Sequence, residues 1–307
     1  MADRGELMLD FWREQGISEN LLALVKKYRE KYPYTGEPLT SKIKYHYIGR
    51  EILEQAITAI LAGENILLAG PKATGKNVLA ENLAAGFNRP DFNISFHINM
   101  DASYLLGTDT FAEGEVRFRP GPVYECATAG GFGVLDEINM ARNEALAVLH
   151  SLLDYRHILD VPGHGRLKMH AATRFIATMN HGYAGTRELN EALASRFAII
   201  QLPPINESSL ENLLAAELPT MTKSARTTFA KLFMDLQDKY NHAEISSHAV
   251  DLRGLIDALR LIRLGLNARA ALAMGITNKC FEEEERCMVA DLIALRIPKN
   301  NTDYFND

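Results

Sequence analysis

Residues 66–77 read Ile-Leu-Leu-Ala-Gly-Pro-Lys-Ala-Thr-Gly-Lys-Asn, and the helical run Val78–Ala85 follows directly. An apolar strand, a loop bounded by Gly70 and Gly75, and a helix opening at Lys76 form the order that a nucleotide's phosphate chain requires. Amide N–H groups of such a loop and the positive end of the helix converge on the anion, while a lysine reaches the outer phosphates. The pattern asks for Ser or Thr after the lysine, to ligate Mg²⁺, and Asn77 stands there instead. The competing reading is an ordinary β-α turn whose glycines serve backbone geometry alone.

The rest of the chain supplies the context such a loop needs. Short apolar segments at Asn65–Ala69, Ile94–Met100, Phe132–Asp136, Phe175–Met179 and Ala198–Gln201 alternate with helical periods, which predicts a mainly parallel sheet covered on both faces. After Pro203-Pro204 the strands stop. Residues 206–297 carry apolar positions at helical spacing, among them Leu232, Phe233, Leu236, Leu252, Leu255, Ile256, Leu259 and Ile262. Residues 1–32 are helical by the same test, broken near Gly16-Ile17-Ser18 and followed by a turn-rich stretch from Pro33 to Pro38. The predicted organisation is a helical extension over 1–45, an α/β nucleotide-binding domain over 46–204 and a helical domain over 205–307. Two segments read as hairpins, Thr110–Pro120 and His157–His170, and Lys299–Asp307 reads as a loose tail.

Composition excludes several classes. A 307-residue chain with 47% hydrophobic residues can bury a real core. Its net charge of −6 argues against a general affinity for nucleic acid. The charged start lacks the apolar stretch of a signal peptide and no apolar run suits a membrane span, so the expectation is a cytoplasmic protein. Cys126, Cys280 and Cys287 are too scattered for a disulfide framework or a metal-ligand spacing.

Gly133-Val134-Leu135-Asp136-Glu137 is a short apolar strand ending in two carboxylates. Behind a phosphate loop, the first suits Mg²⁺ and the second can polarise the attacking water. Otherwise Asp136 caps a helix and Glu137 favours its dipole. Asn180 ends the next apolar run, where an amide can orient water or touch a γ-phosphate, or simply form an Asx-turn. Leu189–Phe197 follows, with Arg196 before the fifth strand.

The order of these parts resembles the AAA+ ATPases. Gly121-Pro122-Val123, Leu135–Asn139, the two hairpins and Leu189–Phe197 look like the MoxR-type branch, which includes the CbbQ and NorQ activators and is allied to the dynein-related group. The likeness covers residues 46–203 well and the helical lid only in outline. It implies an AAA+ phosphate-loop core with a parallel five-stranded sheet, two inserted hairpins and a helical lid. ATP and Mg²⁺ are the implied cofactors. Carried over by position, Gly70, Pro71, Lys72, Ala73, Thr74, Gly75, Lys76, Asn77 and Val78 hold the phosphates, with Asn77 and Asp136 on the metal. Glu137 takes the water, and Asn180 is the first sensor. Arg196 is the finger reaching a neighbour's nucleotide, with Arg187 a weaker candidate for that duty. Arg253 is the lid's second sensor, and Tyr47-Ile48-Gly49-Arg50 lies against the base. Helix-terminal or solvated charges are the alternative for each arginine.

A finger acting in trans implies a homo-oligomeric ring of about six copies, since a repeated head-to-tail contact must close or become a filament. The implied work is remodelling or activating a client protein alongside a partner with a von Willebrand factor A domain. A nucleic-acid motor subunit and a nucleotide-gated scaffold with little turnover are the other readings. His157, His164, Arg166, Lys168 and His170 on the second hairpin, with Arg117 and Arg119 on the first, suggest a basic surface for an acidic peptide, or else charges that keep edge strands soluble.

Overall fold

The computed structural model describes residues 4–36, 43, 45–112, 114–180, 189–299 and 303–306, which divide into two compact units, 1–203 and 204–307. In the first, the strands run β1 Ile66–Gly70, β2 Asp91–Ser95, β3 Gly107–Ala112, β4 Glu115–Pro120, β5 Phe132–Asp136, β6 Ile158–Val161, β7 Gly165–Lys168, β8 Arg174–Asn180 and β9 Ala198–Gln201. Five of them form a parallel sheet in the order β2-β5-β8-β1-β9, while β3-β4 and β6-β7 are separate antiparallel hairpins. The register puts Gly70 beside Asn180 and Ser95 beside Asp136, so the residues that end β1, β2, β5 and β8 lie along one carboxyl edge. The strand order reverses there, and a crevice at such a reversal is where open α/β sheets bind ligands.

The helices of this unit are α1 Arg4–Glu14, α2 Glu19–Lys31, α3 Arg50–Ala62, α4 Lys76–Gly86, α5 Ala102–Leu106, α6 Pro122–Ala129, α7 Asn143–Leu146, α8 Leu149–Leu152 and α9 Glu191–Ala194. Strand alternation sorts the core into two layers. Ile66 and Leu68 pack on one face with Leu53, Ile57, Leu79 and Leu83 from α3 and α4. Leu67 faces the other way, with Leu135, Phe175, Val123 and Leu149.

The N-terminal helices belong to the first layer. Met8, Leu9, Trp12, Leu22, Val25 and Tyr28 are buried with α3 and α4, and the Tyr28 hydroxyl donates to Ala172 O at 2.7 Å. Trp12 lies over Gly86, where a Cβ would sit 1.9 Å from the indole, so the contact requires glycine. Arg29 Nε donates to Gly86 O at 2.8 Å and fastens α2 to the same point.

The second strand differs from expectation. Ile94–Met100 reads as a strand, yet β2 starts at Asp91 and ends at Ser95. Phe96 still donates its amide to Asp136 O at 2.8 Å, after which the chain turns, Met100 N bonding His97 O at 3.1 Å. Phe96 and Met100 are apolar because they are buried after the turn. At the head of the strand Asp91 is buried 3.9 Å from the Arg4 guanidinium, while Asn93 is exposed on this edge strand.

The second unit contains α10 Glu207–Glu217, α11 Lys223–Asn241, α12 Leu252–Arg263, α13 Ala268–Gly275 and α14 Glu283–Arg296. Leu232, Phe233 and Leu236 of α11 and Leu252, Leu255, Ile256 and Leu259 of α12 are buried, as their spacing requires. Residues 303–306 depart from the reading of Lys299–Asp307 as a loose tail: Thr222 N donates to Tyr304 O at 2.9 Å and Asn306 N to Thr220 O at 2.7 Å. Tyr304 is buried against Phe229, ring centroids 5.2 Å apart, and that aromatic contact holds the end down. Among the described residues no helix is long and apolar enough to cross a membrane.

Candidate functional site

The loop between β1 and α4 is closed on its own lysine. Lys76 is buried, and its ammonium donates to Gly70 O at 3.0 Å, Pro71 O at 2.6 Å and Thr74 Oγ1 at 3.3 Å. Burial pushes its pKa down to about 8, an effect that Asp136 and Glu137 only partly offset. Gly75 (φ +81°) and Ala73 (φ +63°) both adopt left-handed backbone, which turns the loop back toward β1 and costs the alanine about 1 kcal/mol. α4 starts at Lys76, so the amides of its first turn have no intrahelical acceptor and face the loop. Pro71, Thr74 and Val78 are half-buried, while Lys72 and Asn77 are exposed.

A continuous run of hydrogen bonds leads away from Asn77. Its Nδ2 donates to Asp136 Oδ2 at 2.9 Å, and Thr178 Oγ1 donates to Asp136 Oδ1 at 2.6 Å. The Glu137 amide donates to the same Thr178 oxygen at 3.0 Å. Asn180 Nδ2 donates to Glu137 Oε1 at 3.1 Å, and Asn139 Nδ2 to Asn180 O at 3.1 Å. Glu137 takes a left-handed backbone (φ +55°, ψ +45°), a conformation that costs a non-glycine residue about 1–3 kcal/mol and persists only where the surroundings enforce it. Asp136 closes β5 and caps no helix, and the Asn180 amide turns to Glu137. The first arrangement differs from the helix-cap alternative for Asp136.

Asp136 and Asn77 offer hard oxygens, and Mg²⁺ is commonly held by one or two protein groups plus water and phosphate. Their donor chemistry therefore fits that ion, provided the Asn77 amide rotates its oxygen toward it. Among the described residues no group of three His, Cys, Asp or Glu side chains could hold a metal unaided.

Tyr47 flanks the loop. A Cβ on Gly75 would lie 3.2 Å from its ring, and burial pushes its hydroxyl pKa up to about 12. Its backbone is fixed by buried Asn82, whose Oδ1 accepts from Tyr47 N at 2.8 Å and whose Nδ2 donates to Tyr45 O at 2.9 Å. Gly49 is the residue that precedes α3. Arg196 is not drawn into this network; it is half-buried just past α9 and donates to Ala192 O of that helix. Arg187 lies outside the described residues. Arg253, in the second unit, is exposed in the first turn of α12 with no ion-pair partner among the described residues. A cation there opposes the helix dipole, so fold stability does not account for it.

Part of the hairpins' basic charge faces acids. Arg166 pairs with Asp160 at 3.0 Å, Arg117 lies 3.5 Å from Glu115, and His164 Nε2 lies 2.8 Å from Asp109 Oδ1. The last contact joins the two hairpins, with the His164 ring against Phe118 at 4.2 Å. His157 is half-buried, and desolvation holds its imidazole pKa below the ordinary value. Three residues of the site escape sequence reasoning: Thr178, Asn139 and Asn82. Their one signal is a polar side chain inside an otherwise apolar stretch.

Residues 65–197 match the AAA domain of the dynein-related subfamily. The uncharacterized protein YojN of Bacillus subtilis (strain 168) is 34% identical over 246 residues, covering 78% of this chain and 81% of the relative. The uncharacterized protein SH1500 of Staphylococcus haemolyticus is 33% identical over 261 residues, covering 82% and 99% respectively. A crystal structure of a "putative ATPase" from Cytophaga hutchinsonii overlays with a TM-score of 0.45 at 16% identity, covering 96% of this chain and 98% of that one. With its phosphate loop, paired carboxylates and five-stranded parallel sheet, the chain belongs to the dynein-related subfamily of AAA-domain proteins.

Proposed function

We propose that this protein is an ATPase that binds ATP at the carboxyl edge of the sheet, hydrolyses it slowly, and uses the cycle to remodel or activate a client protein. The observation that carries the reading is the unbroken hydrogen-bond run from Asn77 through Asp136, Thr178 and Glu137 to Asn180, beginning at the phosphate loop. Loop amides, the first turn of α4 and Lys76 hold the phosphates, which requires Lys76 to exchange its carbonyl partners for phosphate oxygens. Asn180 orients a water and Glu137 accepts its proton as the oxygen attacks the γ-phosphorus in line, with ADP and phosphate as products. Asp136 and Asn77 would hold a Mg²⁺ brought with the nucleotide, which would supply charge neutralisation on the phosphates.

Arg196 completes the site in a neighbouring copy. That contact makes turnover depend on a homo-oligomeric ring, and an arginine finger is worth roughly 10³–10⁵ in rate. In the MoxR-type reading the ring works with a partner carrying a von Willebrand factor A domain, and Arg253 senses the nucleotide from the lid. The acidic net charge and the pairing of Arg117 and Arg166 with acids disfavour a nucleic-acid motor. A nucleotide-gated scaffold with little turnover is the second reading, favoured by the Asn77 amide on Asp136.

The test is an ATPase titration against protein concentration, comparing wild type with Lys76→Ala, Glu137→Gln and Arg196→Ala. Activity should rise more steeply than concentration and vanish in each variant. Mixing Arg196→Ala with Glu137→Gln protomers should restore part of it. Normal hydrolysis by Arg196→Ala overturns the trans finger, and ATP binding without turnover in wild type selects the scaffold.

A further inference from the structure

Thr178 sits near the end of β8, 1% exposed, in a strand whose other residues from Arg174 to Ala177 are also buried. A polar side chain in that position costs free energy unless its hydrogen-bonding capacity is used. Here both capacities are used, and by the two residues of the carboxylate pair. Register explains why: Leu135 is paired with Ala177, so the next residues along, Asp136 and Thr178, project from neighbouring strands on the same face.

The direction of each bond is fixed by chemistry. An ionised carboxylate can only accept and a backbone amide can only donate, so the hydroxyl proton must point at Asp136 and a lone pair must meet the Glu137 amide. One oxygen thus touches the side chain of the first acidic residue and the main chain of the second. The second is the residue in left-handed backbone, and the amide bonded to Thr178 belongs to the peptide that begins that turn.

We propose that Thr178 is a positioning residue of the hydrolytic site: its buried hydroxyl sets the Asp136 carboxylate and the turned backbone of Glu137 in one fixed relation. The inference rests on the ATPase reading and adds to it the part that aligns its two acids. Without the hydroxyl, the Asp136 side chain keeps only the Asn77 hydrogen bond among the described residues, which ligand entry must break, and Glu137 loses the bond that holds its turn.

The experiment compares wild type with Thr178→Val, which keeps the shape and removes the hydroxyl, and Thr178→Ser, which keeps the hydroxyl. Two readouts are taken: steady-state hydrolysis, and equilibrium binding of a fluorescent ATP analogue across a Mg²⁺ titration. For Thr178→Val we expect kcat to fall about 10²-fold, the scale of a 1 Å misplacement, with KM for ATP changed less than about threefold. The Mg²⁺ concentration giving half-maximal binding should rise several-fold. Thr178→Ser should recover at least a third of wild-type kcat and the wild-type Mg²⁺ dependence. A Thr178→Val protein with kcat and Mg²⁺ dependence within twofold of wild type overturns the proposal. Should the Val protein fail to fold, a folded Thr178→Ser protein lacking activity and Mg²⁺ response overturns it equally, and one that retains both supports it. Wild type that binds ATP without hydrolysing it leaves the Mg²⁺ titration to decide; wild type that binds none overturns the ATPase reading and this one with it.

Discussion

Raising the pH from 7 to 9 should loosen ATP about tenfold, because the free protein holds Lys76 at a pKa of about 8. In the free protein about nine-tenths of Lys76 is charged at pH 7 and about one-tenth at pH 9. Phosphate oxygens give the cation an anionic partner, so its pKa rises on binding and the complex keeps the proton throughout this window. Binding above pH 8 therefore takes up a proton, and affinity falls toward tenfold per unit. The terminal phosphate titrates near pH 6 and stays ionised across the range. Calorimetry at the two pH values, each in buffers of different ionisation enthalpy, reads both the dissociation constant and the proton count. Uptake should approach one proton at pH 9 and about a tenth at pH 7. Lys76→Arg, which does not titrate, should flatten the profile. An unchanged dissociation constant with no proton uptake would refute the reasoning.

Stability carries the opposite sign. The folded pKa lies below the unfolded value of 10.5, so the unfolded chain binds more protons between pH 8 and 10.5. The burial penalty, about 3 kcal/mol, is complete below pH 8 and fades as pH rises through that interval.

Asn77→Thr should lower the Mg²⁺ requirement and raise turnover more than threefold at saturating Mg²⁺; equal rates at low and high Mg²⁺ would show that the asparagine is neutral. Gly86→Ala places a Cβ 1.9 Å from the Trp12 indole, so the N-terminal helices should lift, at a cost of about 1–3 kcal/mol. Trp12 is the only tryptophan of the sequence, and a red shift of its emission reports the change directly. Arg89→Ala should cost about 3–5 kcal/mol, seen as a drop of roughly 10 °C in Tm, because the buried guanidinium satisfies Gly130 O, Tyr32 O and Ala129 O at 2.6, 2.9 and 3.1 Å.

The sequence carried the strands that form the floor of the site, since β1, most of β5 and the Phe175–Ala177 stretch of β8 are apolar runs, as strands buried on both faces must be, and β9 carries Ala198-Ile199-Ile200 at the sheet's edge. It misplaced β2 because Phe96 and Met100 are apolar for packing after a turn, and composition does not distinguish that from a strand. It missed Thr178 because the hydroxyl's worth depends on residues 41 and 42 positions earlier in the chain, brought alongside only by strand register. The ordered end at Tyr304 has the same origin: the sequence around it is polar, and one aromatic ring meeting Phe229 decides the matter. The carboxylate pair was legible as a pair, but the left-handed turn at Glu137 was not, because nothing in an Asp-Glu dipeptide demands it.

α4 runs from Lys76 to Gly86, about 16 Å at the usual rise per residue. One end opens on the phosphate loop and the other is wedged beneath Trp12 and tied to Arg29. A nucleotide seated against its first turn would therefore rest on the same helix that α1 and α2 grip at its other end. The N-terminal helices thus share one element with the site, although none of their residues lies in it.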